Sequence, residues 1–141
     1  MELTLDQARS IISGAFAEAA AKDMFALAVV VLDGGGHLKA FERQDGVPYG
    51  RFDVAFGKAS GALAIGPNSR QLEVMAKDRP HFMAGVIGAV GGSLVPVAGG
   101  VVILSDDGER IGAVGASGDT SDNDEIAVMA GIAAAGLTAQ G

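Results

Sequence analysis

The run Phe25 to Leu32 constrains the fold most. It is continuously apolar, holds three consecutive valines (Val29 to Val31), and is followed at once by Asp33-Gly34-Gly35-Gly36. A short valine-rich run of this kind suits a strand buried on both faces. The Asp-Gly-Gly-Gly segment then turns the chain, and His37 to Arg43 reads as the return strand of a hairpin. Alternation along that strand places His37, Lys39, Phe41 and Arg43 on one face and Leu38 and Ala40 on the other.

Around this hairpin the chain reads as helices and further strands. Leu5, Ala8, Ile12, Ala15, Phe16 and Ala19 recur at helical spacing over Thr4 to Lys22. Thr4 with Gln7 three residues on forms a capping box. Gly50 to Ile65 is a second helix with the stripe Phe52, Ala55, Phe56, Ala59 and Leu63, stopped by Gly66-Pro67. Asn68 to Lys77 reads as a short third helix capped by Asn68 or Ser69. The glycines from Gly85 to Gly100 argue for loop and turn over the ambiguous stretch 78–93. Leu94 to Val97 is a short strand that Pro96 confines to an edge. Gly100 to Ser105 and Glu109 to Ala116 make a second hairpin around Asp107-Gly108. Ser121 to Leu137 is the last helix, capped by Ser121. Ile126, Met129, Ala133 and Leu137 form its core stripe, and Ala127, Ala130, Gly131 and Ala134 keep it slim. Local hairpins make the sheet mostly antiparallel with helices against it, an α+β layer fold.

Length and composition set the outer limits. One domain over residues 1–141 is expected, large enough to bury roughly 70% of its unfolded surface. No apolar run reaches the ~18 residues of a membrane span. Met1 to Asp6 has no basic segment of the secretory type, so a cytoplasmic protein is expected. With no cysteine, disulfides, thiol catalysis and Cys-based metal sites are excluded. Ten basic and seventeen acidic residues give a net charge of −7, and no basic cluster offsets it. Such a chain repels a phosphate backbone, so nucleic-acid binding is not expected. Glycine is over-represented at 22 residues, against the usual ~7% of a chain. Clusters at 34–36, 85–100 and 108–118 mark turns or close backbone approach.

Several catalytic motifs fail on inspection. Gly57-Lys58 is followed by Ala59 and lacks the preceding glycine of a P-loop. Gly115-Ala-Ser117-Gly118-Asp119 has Asp where a nucleophile elbow needs Gly. Ser121-Asp122-Asn123 lacks the Ser-x-x-Lys that would accompany it in a β-lactamase. What remains are individual side chains. His37 opens a strand, as a polar hairpin end or as an acid/base or ligand beside Lys39 and Arg43. His81 follows Arg79-Pro80, as a solvated loop residue, an axial haem ligand or a gate. Lys58 lies off the apolar stripe of its helix, beside Arg51, Val54, Gly61 and Ile65, a small face on which it would be partly buried. A buried lysine needs an anion or a lowered pKa; snorkelling or an ion pair between subunits are the structural readings. The run Gly118 to Glu125 brings Asp122, Asp124 and Glu125 into one helical turn. Capping accounts for one or two acids there; the surplus suits a site, and the helix start can also take an anion.

The ordered set of these pieces resembles the GlcG/HbpS-like family, described as haem-binding or haem-degrading, and the C-terminal domain of PduO-type proteins. The matching residues are Leu5-Asp-Gln-Ala8, Val29 to Leu38, Phe41-Glu-Arg-Gln-Asp-Gly46, Lys58-Ala59, Gly99-Gly100, Ile111 to Gly118, Asp124-Glu125 and Gly131. They span nearly the whole chain. The resemblance implies a profilin-like sandwich with a five-stranded antiparallel sheet. It also implies a homo-oligomer, from dimer to octamer, and a haem or related tetrapyrrole ligand. Carried over by position, the pocket residues are His37, Arg43, Lys58, Ser117, Gly118, Asp124 and Glu125, with Gly35 and Gly36 shaping the hairpin. The chain departs from the family pattern at Gly34, Gln44 and Asn123. The first helix holds no histidine, so an imidazole ligand to haem iron must be His37 or His81.

Three functions follow as expectations. The first is a small-molecule-binding protein of this family type, with haem or a related tetrapyrrole as ligand. The second is a cofactor-independent enzyme in which Lys58, His37 and Glu125 perform acid/base chemistry on a small carboxylate. The third is a structural oligomer without a ligand.

Overall fold

A computed structural model describes residues 1–141. Helix α1 spans Leu5–Ala21 and begins on the expected capping box, in which Thr4 Oγ1 accepts from the Gln7 N–H and Gln7 Oε1 accepts from the Thr4 N–H. Strands β1 (Ala28–Asp33) and β2 (Leu38–Arg43) form the first hairpin. Helix α2 (Arg51–Ile65) ends at Gly66, whose φ is +122°. Helices α3 (Ser69–Asp78) and α4 (Pro80–Ala89) follow, then strands β3 (Gly100–Leu104) and β4 (Arg110–Ser117). Helix α5 (Ser121–Ala134) and the short strand β5 (Thr138–Ala139) close the chain.

The five strands form one antiparallel sheet in the order β2-β1-β4-β3-β5. β1 lies inside it, between β2 and β4, and is buried on both faces from Ala28 to Leu32 as its sequence demands. Val29 and Val31 join the larger core beneath α1 and α5, with Ile11, Ile12, Val101, Ile103, Val114, Val128 and Ile132. Val30 and Leu32 point the other way, against Ala55 and Ala59 of α2. Each fully buried Val, Leu or Ile contributes about 1.5–3 kcal/mol. Phe41, Phe52 and Phe56 extend the α2 layer as an aromatic chain, the first pair meeting edge-on at 4.7 Å between centroids.

Small residues set the spacing of the layers. A Cβ on Gly115 of β4 would strike the carbonyl oxygen of Ala55, so α2 lies directly on the sheet there. A Cβ on Gly131 would strike the Ile11 carbonyl, so α1 and α5 pack backbone to backbone.

Four expectations are corrected. Residues 80–89 are helical, not loop: Pro80 occupies the first turn, where its missing N–H costs nothing, and Met83 anchors the helix against Leu72 and Leu94. Residues 94–97 are not a strand. The Val95 N–H donates to the Gly57 carbonyl at 3.1 Å, and Leu94 and Val95 sit over Gly61 and Gly57 of α2. The fifth strand is instead β5, beyond the last helix, and that helix stops at Ala134 rather than Leu137. On α5 the buried face is Asp124, Ala127, Val128, Gly131 and Ile132, whereas Ile126 and Met129 are exposed. The close approach to α1 turns the slim side inward and leaves the larger side chains outside.

Candidate functional site

The functional side chains sort to the two ends of β1. At the Ala28 end, Ala28 pairs with Arg43 of β2 on one side and Ser117 of β4 on the other. Phe41 and Gly115 both face α2, and alternation puts Arg43 and Ser117 on that same face. Ser117 is buried, and its Oγ accepts from Arg51 Nη1 at 3.2 Å, which brings the first residue of α2 over the strand end. Arg43 Nη1 donates to the Val47 carbonyl at 2.6 Å and so pins the segment between β2 and α2.

Behind Ser117 lies Lys58, fully enclosed at 2% exposure. Its Nζ donates to the Ala116 carbonyl at 2.9 Å and to Asp124 Oδ2 at 3.1 Å. Asp124 is equally buried, and its Oδ1 accepts from the Asp119 N–H at 3.0 Å. Burial pushes the lysine down and the carboxyl up from their ordinary pKa values, and each partner's charge opposes the other's shift. The anion that the buried lysine requires is therefore supplied within the chain. The pair ties α2, β4 and the start of α5 together, and neither group reaches solvent.

The acid run at the start of α5 resolves into separate tasks. Thr120, not Ser121, is the N-cap, its Oγ1 accepting from the Asn123 N–H. Asp119 accepts from the Phe25 N–H at 2.6 Å, from the Thr120 N–H and from Asn123 Nδ2, and these donors hold its carboxyl below the usual range. Asp122 and Glu125 both receive Arg70 of α3, at 2.6 Å and 3.0 Å, and these contacts raise the guanidinium further. The surplus of acids is thus matched by two cations from elsewhere in the chain.

His37 lies at the other end of β1, beyond Asp33. Ala28 and Asp33 are five residues apart, roughly 17 Å at about 3.3 Å per residue. The set His37, Lys58 and Glu125 is consequently not assembled: Lys58 holds Asp124, Glu125 holds Arg70, and His37 is at the far end of the sheet. Asp33 Oδ1 accepts from the N–H groups of Gly35 and His37, which fix the hairpin turn. The His37 N–H foremost holds the Asp33 carboxyl below its ordinary value. His37 Nδ1 stands 3.4 Å from the same oxygen, which leaves Nε2 without a partner, and the side chain is 82% exposed. It borders an open cleft of about 420 Å³ with Lys39, Arg110, Leu3, Ile111 and Met1. His81 is exposed on the first turn of α4, next to the Arg79–Phe82 cation–π contact.

Sequence reasoning missed Arg51 and Arg70. The signal for Arg51 was its place one helical face from Lys58. Arg70 carried no signal, because its partners lie more than fifty residues away. No group of three or more His, Asp or Glu side chains is placed to hold a metal ion. No helix is long and apolar enough to cross a membrane.

Solved structures of the same fold include a PduOC–haem complex, with a TM-score of 0.87 and 21% identity over the whole of both chains. Klebsiella pneumoniae protein ORFY matches with a TM-score of 0.86 and 20% identity over 96% of this chain and 92% of that one. A double mutant of Streptomyces reticuli HbpS matches with a TM-score of 0.81 and 24% identity over 94% of this chain and 86% of that one. At these identities the likeness establishes the fold. No functionally curated protein matches the chain. The family model described as haem degrading protein HbpS-like matches residues 3–133, and with that match the chain belongs to the HbpS-like family.

Proposed function

We propose that the chain binds a haem-related small molecule in the cleft beside His37. One observation carries this reading: His37 is an imidazole at the edge of a cavity of about 420 Å³, with its Nε2 left without a partner. The donor set suits a haem. His37 would meet the iron, Lys39 forms no ion pair and would meet a propionate, and the exposed Met1 supplies apolar surface beside Glu2 and Glu109, which also line the cleft. Iron coordination and any redox chemistry would belong to the bound group. The chain's own part is to orient it, and Asp33 does so indirectly by fixing the turn that carries the imidazole. Membership of the HbpS-like family and the haem complex of a protein with the same fold support the reading. The exposed Ile126 and Met129 of α5 support a homo-oligomer.

The test is a haemin titration followed at the Soret band, on wild type, His37→Ala and His81→Ala. Saturable one-site binding is expected in wild type and in His81→Ala, with affinity at least tenfold weaker in His37→Ala. Binding that does not saturate, or that neither variant changes, would remove haem as the ligand of this cleft.

A further inference from the structure

The Ala28 end of the sheet has a cavity of its own, apart from the cleft beside the histidine. A hollow of about 270 Å³ opens there between Phe25, Ala26, Val47, Pro48, Arg51 and Gly118. We infer that it binds a small monocarboxylic acid with a flat apolar body, the carboxylate seated on Arg51.

Three observations carry the inference. Arg51 makes no ion pair in a chain of net charge −7, where seven acidic side chains in all are paired with some other basic group. The one hydrogen bond of its side chain runs from Nη1 to the buried Ser117 Oγ. That bond aims the guanidinium and leaves most of its five donors for a planar two-oxygen acceptor. Next, Phe25 keeps 75% of its surface exposed although its backbone is fixed, its N–H donating to Asp119 at 2.6 Å. An exposed aromatic ring on a fixed backbone at the mouth of a hollow offers a flat apolar surface to a ligand. Pro48 and Val47 add apolar wall, held in place by the Arg43 contact to the Val47 carbonyl. Finally, Asp45 also borders the hollow. A second negative charge on the ligand would face that carboxylate, so a single carboxylate is favoured over a diacid. The volume lies just below the range of drug-sized pockets, which fits a metabolite with one ring.

Benzoate serves as probe and acetate as the carboxylate without a body. Binding is followed by calorimetry and by amide chemical shifts in labelled protein. Benzoate is expected to bind wild type and shift the amides of Phe25, Val47 and Gly118. Affinity should fall at least tenfold in Arg51→Ala and in Phe25→Ala, and acetate should bind at least tenfold more weakly than benzoate. His37→Ala should bind benzoate like wild type, so loss of the haem reading would leave this site standing. Should Arg51→Ala fail to fold, Arg51→Lys keeps the charge without the planar fork and should still bind several-fold more weakly. Unchanged benzoate binding in the Arg51 variant that folds, shifts confined to other residues, or equal affinity for acetate would each overturn the proposal. So would displacement of benzoate by haemin at one-to-one stoichiometry, which would merge the two sites.

Discussion

The two ends of β1 reach order by different means. At the Ala28 end the chain fixes itself through long-range polar contacts between groups far apart in sequence. Lys58 meets Asp124, Arg51 meets Ser117, and Phe25 meets Asp119 across 94 residues. At the Asp33 end the order is local: one carboxylate closes a five-residue turn through the N–H groups of Gly35 and His37. A locally ordered turn can be altered without disturbing the sheet, which suits an exposed ligand-facing side chain. A cross-chain network holds its parts rigidly, which suits a shaped pocket, and it propagates the damage when one member is lost.

The sharpest break in that contrast comes from Lys58→Met. The substitution keeps the stem and removes the ammonium, so Asp124 remains buried at 1% exposure without its cation. Breaking one half of a buried pair costs about 3–5 kcal/mol. We expect a loss of that size in urea unfolding, measured at pH 7. The double variant Lys58→Met/Asp124→Asn should recover much of it, because the amide is neutral and its oxygen still accepts from the Asp119 N–H. A double variant as unstable as the single one would mean that packing, not charge, holds this end.

The same contrast explains what could be read from the sequence. Local order was legible: the capping box at Thr4, the hairpin turn at Asp33, the stop at Gly66 and the double burial of β1 all follow from neighbouring residues. The face of α2 around Lys58 also declared itself, because small residues at Val54 and Gly61 leave space that only burial fills. Long-range order was not legible. Nothing near Lys58 distinguishes Asp124 from Glu125 as its partner; the choice is made by the helical rotation of α5, whose slim face turns toward α1 and carries Asp124 inward. The same rotation exposed Ile126 and Met129, which an apolar stripe alone assigns to the core. For α4, glycine content outweighed an apolar pattern that tertiary contacts with Leu72 and Leu94 then made helical.

Acid offers a subtler comparison, because each end has a carboxyl held below its ordinary pKa. For Asp119 the leading cause is the Phe25 N–H, and for Asp33 it is the His37 N–H. A group with a lowered folded-state pKa contributes stability above its unfolded value, and that contribution is lost as pH falls through the folded value. Both contributions are therefore present at pH 5–7 and fade below the ordinary carboxylate value of about 3.8. Asp119→Asn should lower the urea midpoint at pH 7 and much less at pH 3. Asp33→Asn should show the same sign with a smaller amplitude, since it closes a turn that Gly36 already favours with its φ of +82°. Equal amplitudes would erase the distinction between cross-chain and local order.

The smallest effect is the one that most sharpens the functional contrast. His37→Ala removes a side chain that is 82% exposed and whose one polar contact is with Asp33 Oδ1, at 3.4 Å. Surface contacts of this kind are worth about 0–1 kcal/mol. The turn itself is fixed by backbone N–H groups that the substitution leaves in place. We therefore expect the urea midpoint of His37→Ala to stay within about 0.5 kcal/mol of wild type. The imidazole would then have no structural task, and a loss of haemin binding in this variant reports on ligand contact alone. A destabilisation above 1 kcal/mol would instead make the imidazole part of the turn, and the two ends would differ less than their geometry indicates.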